Sequence, residues 1–272
     1  MKQILTVQRF LAVLALLFFL TSCSKGEEVS AQVRDAASED TIVSLEELNK
    51  MTENLPENIR NGILDRPREF LEMIEDVLEL PEEQVLLVDK NHALPSSYEP
   101  SDLVDLAAYD LYLNKEGMQL REVLMPDLLK MNEDASAAGL RLVLSSTYRS
   151  YDYQERVFQY HVDTIGEEQA KRESAEPGKS QHQLGTTIDF GSITPAFGNT
   201  EEGKWLKKNA WKYGFSLSYP ENTEDITGYI HEIWHYRWLG RVCTRLERDF
   251  FNGIQQYMLE FLHENRSTLE GG

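Results

Sequence analysis

Apolar residues in this chain recur at helical spacing over long stretches and bunch together over short ones. A run from Phe10 to Leu20 is followed by a polar stretch, to about residue 45, without any period. Between residues 46 and 82, Phe70, Leu71, Ile74, Val77 and Leu78 recur at steps of three and four behind Pro67, near a helix start, and predict helix. Val123, Leu124, Leu128, Leu129 and Met131 predict a helix over 120–138 that Gly139 ends, and Leu140–Leu144 reads as a strand. Further on, the pattern predicts a helix over Tyr153–Val162, a short strand over Thr187–Phe190 and a helix over Trp205–Tyr213 stopped by Gly214. Tyr229–Leu239 is rich in β-branched and aromatic residues and reads as a strand. Leu246, Phe250, Ile254, Met258 and Phe261 place a core-packing helix over Arg245–His263.

These patterns divide the chain. Lys2 and Arg9, the apolar run and Leu20-Thr21-Ser22-Cys23 make residues 1–22 a signal peptide with a lipoprotein ending. The run is about half of the roughly 20 residues that a membrane-spanning helix needs. Its resemblance to bacterial lipoproteins implies that Cys23 becomes an acylated first residue. The protein is then expected to be exported and membrane-anchored on the periplasmic or extracellular side. Residues 23–45 are expected to form a flexible acidic tether, 46–82 a helical stalk or a cover on the main domain, 83–265 one well-buried domain, and 266–272 a tail. A formal net charge of −19 argues against nucleic acid as a partner, because phosphate binding needs a basic face. With Cys23 acylated, Cys243 has no partner within the chain and is expected to be a buried, inert thiol.

Candidate chemistry lies in two windows. Ser180-Gln181-His182-Gln183-Leu184-Gly185-Thr186-Thr187-Ile188-Asp189 holds an imidazole and a carboxylate, and His231-Glu232-Ile233-Trp234-His235 adds further imidazoles beside a glutamate. Catalytic zinc typically takes three nitrogen or oxygen ligands and keeps a position for water. His182, Asp189 and His235 are one such set, with Glu232 free to handle the proton of that water. Spacing alone leaves this open, since histidine pairs are more often structural or solvated.

Five ordered stretches resemble the VanY-type zinc D-alanyl-D-alanine carboxypeptidases, relatives of the VanX-type dipeptidases. They are Leu87–Pro95 with Tyr98–Leu103, Ser145–Ser150 with Gln154, Ser180–Asp189, Asn209–Phe215, and Glu224–Tyr229 with Glu232–His235. The resemblance covers about residues 85–240. It implies the α+β metallopeptidase fold shared with the Hedgehog signalling domain, a small antiparallel sheet with helices packed around it. It further implies zinc on His182, Asp189 and His235, Glu232 as the catalytic acid–base, Arg149 steadying the developing oxyanion, and Gln154 and Ser180 contacting substrate. The implied partners are peptidoglycan stem peptides ending in D-alanine. An L,D-carboxypeptidase or a peptidoglycan endopeptidase on the same zinc site, or a non-catalytic wall-binding lipoprotein, are the alternatives.

Departures from the family pattern are Ile233 in place of a proline, Ser218 in place of an arginine, and Thr186-Thr187-Ile188 in place of a Leu/Ala/Val run. The last two are expected to bear on substrate fit more than on zinc. On an ideal strand Glu232 and His235, three apart, face opposite sides, so both reach one metal only across a twist or bulge. His92 is expected to be structural, His161 and His263 solvated, and His231 either near the site or displaced from it.

Overall fold

Ser44 and Glu47 satisfy each other at the head of the first helix. The Ser44 hydroxyl accepts from the Glu47 N–H at 3.2 Å, and the Glu47 carboxylate accepts from the Ser44 N–H at 2.9 Å, a capping box. The computed structural model describes residues 43–271, so the signal peptide, Cys23 and the tether up to residue 42 lie outside the described residues. Val43, at the end of the expected tether, is buried.

The helical stretch forms three helices: α1 (Leu45–Met51), α2 (Glu57–Asp65) and α3 (Pro67–Leu78). Pro56 and Arg66, both outside helical geometry, separate them. They form a cover rather than a stalk. The elements that follow are β1 (Leu103–Asp105), β2 (Tyr112–Leu113), β3 (Gln119–Arg121), α4 (Met125–Ala137), β4 (Val143–Ser146), α5 (Tyr151–Ile165), α6 (Glu167–Glu173) and β5 (Thr187–Phe190). After them come α7 (Glu201–Asn209), β6 (Phe215–Leu217), α8 (Glu224–Thr227), β7 (His235–Trp238), α9 (Arg241–Phe250) and α10 (Gln255–Gly271).

A five-stranded sheet runs β2-β4-β5-β7-β6, antiparallel except for its parallel β2–β4 edge pair, and β1 and β3 form a separate two-stranded ribbon. Helices surround the sheet, an α+β arrangement. One apolar core backs it, from Leu106 and Leu128 through Ile188 and Phe190 to Tyr236. A second joins the cover to the C-terminal helices, where the Phe70 ring meets Phe250 at 5.1 Å and Phe261 at 5.4 Å.

Several elements differ from the pattern-based expectation. The strand expected at Leu140 begins at Val143, because Gly139 (φ 78°) turns the chain and the Leu140 N–H still bonds back to Ala135 in α4. The strand expected over Tyr229–Leu239 shrinks to His235–Trp238, since Gly228 in left-handed geometry ends α8 and a turn from Glu232 to His235 follows. The single C-terminal helix is two, broken where Asn252 (φ 55°) and Gly253 (φ 69°) reverse the chain. The expected tail is helical up to Gly271, because Leu269 extends the apolar face of α10 into the core.

Candidate metal centre

Register decides which side chains meet. Asp189 on β5 stands opposite His235 on β7 and beside Ser146 on β4. His182 comes from the short turn Gln181–Leu184, capped by the Ser180 hydroxyl, which accepts from the His182 N–H at 3.3 Å. These elements bring His182, Asp189 and His235 together in the interior, their candidate ligand atoms all within 4.8 Å of one another. His182 Nε2 lies 3.2 Å from Asp189 Oδ2, and His235 Nδ1 lies 3.1 Å from Asp189 Oδ1.

Both imidazoles have a defined tautomer. A carbonyl only accepts, so the His182 Nδ1–H donates to Thr147 O at 2.7 Å and leaves the Nε2 lone pair facing Asp189. His235 donates Nε2–H to Gln181 Oε1 at 3.2 Å, which leaves the Nδ1 lone pair facing the same carboxylate. Gln181 is itself fixed: its Oε1 accepts from the Ser218 hydroxyl at 2.7 Å and its Nε2 donates to Gln255 Oε1 at 3.1 Å. Ser218, expected to bear on substrate fit, is buried behind His235 in this network. Gln181 and Gln255 were not singled out by the sequence; their position next to His182 and on the C-terminal helix carries no signal until the fold joins them.

On the His182 side a cation already bridges the pair, Arg149 Nη2 lying 3.0 Å from His182 Nε2 and 2.9 Å from Asp189 Oδ2, whereas on the His235 side none among the described residues does. Asp189 Oδ1 is buried without a hydrogen-bond donor. The Arg149 guanidinium, 2.9 Å from Asp189 Oδ2, favours the charged form of this buried carboxylate. Burial, with the Arg149 charge adding to it, lowers the His182 pKa to about 4, so this ring is a neutral donor near pH 7. The three residues thus offer two imidazole nitrogens and one carboxylate oxygen, a set suited to zinc.

Glu232 sits just before β7. The His235 N–H bonds to the Glu232 carbonyl at 3.1 Å, and this turn, rather than a bulge within a strand, lets both side chains face the cluster. Glu232 Oε2 lies 3.4 Å from His235 Nδ1. Burial first, and then the negative charge of Asp189, push the Glu232 pKa well above its ordinary value. Ile233, where a proline was expected, packs into the sheet core and holds the turn from behind.

Arg149 donates Nε to Ser146 at 2.9 Å, Nη1 to Gln154 Oε1 at 3.0 Å, and Nη2 to Asp189 Oδ2 at 2.9 Å. Gln154, expected at the substrate, is fully buried behind Arg149, its Nε2 donating to Ala175 O at 2.7 Å. Ser180 does line the cleft of about 270 Å³ over the cluster, with Arg149, Tyr219, Tyr229, Glu232 and Trp234. So does His161, which the pattern assigned to solvent; its Nδ1–H donates to Val157 O at 2.9 Å. His231 instead points its Nδ1–H at Tyr219 O, 2.8 Å away, and His92 donates to Asp89 at 2.8 Å. His263 packs its ring on His92 at 4.8 Å. Cys243 is buried, and burial pushes its thiol up to about 12.

A family model described as VanY, D-alanyl-D-alanine carboxypeptidase, matches residues 117–241. YodJ of Bacillus subtilis is 38% identical over 189 residues, which cover 67% of this chain and 69% of that protein. Among solved structures, the LdcB LD-carboxypeptidase is 38% identical with a TM-score of 0.60, over 65% of this chain and 86% of that one. A mutant of the D,D-pentapeptidase VanY from a VanB-type resistance cassette, in complex with Zn(II), is 26% identical with a TM-score of 0.55, over 66% and 99%.

Proposed function

The chain belongs to the VanY family of D-alanyl-D-alanine carboxypeptidases and is a peptidase, and from that premise we propose that it removes terminal D-alanine from peptidoglycan stem peptides with zinc held by His182, Asp189 and His235. The observation that carries the zinc assignment is the convergence of His182, Asp189 and His235 in the interior, their ligand atoms within 4.8 Å of one another and Asp189 Oδ1 without a donor. Zinc, when bound, supplies Lewis acidity and lowers the pKa of a water molecule to about 7.

The remaining roles belong to the chain. Glu232, raised in pKa by burial, is suited to take a proton from the attacking water and deliver it to the departing amine. Arg149, held by Ser146, Gln154, Asp189 and His182, offers a fixed cation to the charge that develops on the scissile oxygen. Gln154 acts through Arg149. Ser180 shapes both the cleft and the His182 turn.

Likeness to LdcB, greater than to the VanY structure in identity and TM-score, favours a second reading, L,D-cleavage of tetrapeptides ending in a single D-alanine. The test is to load the protein with zinc and incubate it with a D-Ala-D-Ala pentapeptide and with a tetrapeptide, weighing the products by mass spectrometry. Release of D-alanine from the pentapeptide supports the D,D reading, and release from the tetrapeptide alone replaces it. Glu232→Gln is expected to keep zinc and lose about 10² to 10⁴ in rate. Near-parental turnover by that variant rejects the mechanism, and substrate binding without cleavage by the parent makes this a wall-binding protein.

The proposed setting is the cell envelope, with Cys23 as the lipid anchor. It rests on the Leu20–Cys23 window alone. Fatty-acid labelling that persists undiminished in Cys23→Ala refutes it.

A further inference from the structure

Two cations share one aromatic ring at the mouth of the cleft. Lys115, in the loop between β2 and β3, lines the cleft and holds its Nζ 5.4 Å from the Tyr153 ring centroid. Arg156, three residues beyond Tyr153 on α5, holds its guanidinium carbon 5.4 Å from the same ring. Tyr153 lines the cleft and is 39% exposed.

Neither cation has an acidic partner among the described residues, whereas Lys130, Lys171, Lys179 and Lys204 each pair with an acid three or four positions away. In a chain of net charge −19, Lys115 on the cleft wall and Arg156 beside the same ring are two cations without acidic partners, although Glu173 also lines the cleft. Arg149, the other cation of the cleft wall, is occupied by Ser146, Gln154, Asp189 and His182. An anionic group on a substrate outside the reacting centre therefore finds its free cations at Lys115 and, past the Tyr153 ring, Arg156.

We infer that Lys115 and Arg156, spaced by the Tyr153 ring, form a cationic subsite that receives a side carboxylate of the peptide on the amino side of the scissile bond. This rests on the stem-peptide reading of the cleft. Stem peptides carry such a carboxylate on a γ-linked D-glutamate and, where the diamino acid is carboxylated, there too. Terminal D-alanine offers only its own carboxylate, next to the bond being cut and hence next to the buried cluster. Ile193, 51% exposed on the same cleft, supplies apolar surface beside the charges.

The experiment compares kcat/KM on two peptides that differ only in a carboxylate or a carboxamide at the γ-linked residue, with a short acetylated D-alanine peptide as a third substrate for the parent. The parent is expected to prefer the carboxylate roughly threefold to tenfold at low salt, the range for one or two exposed ion pairs, and the preference fades as salt rises. Lys115→Gln combined with Arg156→Gln brings the ratio close to one, and Lys115→Arg keeps it. A ratio that survives in the double variant, or a parent that cuts all three peptides without preference, overturns the subsite and leaves the stem-peptide reading standing. A parent that cuts none of them overturns both.

Discussion

A neutral imidazole has one nitrogen that donates and one that accepts, and at His182 and His235 the surrounding protein fixes which is which. Thr147 O fixes the first and Gln181 Oε1 the second, so each ring turns a lone pair toward Asp189. The types at 182, 189 and 235 were legible in the sequence. The partners that orient them were not, because a backbone carbonyl and a common glutamine carry no signature of their own. Gln181→Leu removes the acceptor from His235 and leaves that ring free to turn. Loss of such an outer partner typically costs about 10- to 100-fold in metal affinity. Competition with a chelator of known affinity measures it, and zinc affinity within about twofold of the parent would show that Gln181 does not orient the ring.

Secondary structure decided whether Glu232 could join the site at all. Alternation on an ideal strand sends residues three apart to opposite faces. Ending α8 at Gly228 and inserting a turn before β7 removes that constraint, a choice that β-branched and aromatic composition does not reveal. Similar competition split the two long helical stretches, where apolar periodicity continued across breaks at Pro56, Arg66 and Asn252-Gly253. The cover's contribution can be measured at Phe70, fully buried against rings of α9 and α10. Phe70→Ala is expected to cost about 3 to 5 kcal/mol, the usual range for a truncated core aromatic. Urea unfolding measures this, and a loss below about 1 kcal/mol would mean that the cover is not part of the cooperative unit.

Over the whole molecule, stability is expected to depend on pH through an acid remote from the proposed chemistry. Glu247 on α9 is buried, its Oε2 lacks a partner, and burial raises its pKa from 4.5 to about 7. The folded state therefore holds this proton more tightly than the unfolded chain. Its contribution is fully present below pH 4.5 and is lost as pH rises to about 7, by roughly 3 kcal/mol at most. Glu247→Gln should remove that decline; unfolding curves across this window that fall as steeply as the parent's would refute it. By itself, the sequence determined the chemistry available: the residue types of the proposed site, most helical faces, the short strand Thr187–Phe190 and the acidic balance. These follow from local periodicity and from motifs that keep their identity in one dimension. Only the tertiary structure decided that Asp189 stands opposite His235, that Gln154 lies behind Arg149, and that Lys115 and Arg156 meet at one ring. Register, turns and close packing join residues far apart in the chain, and the spacing of those residues along it does not encode where they meet.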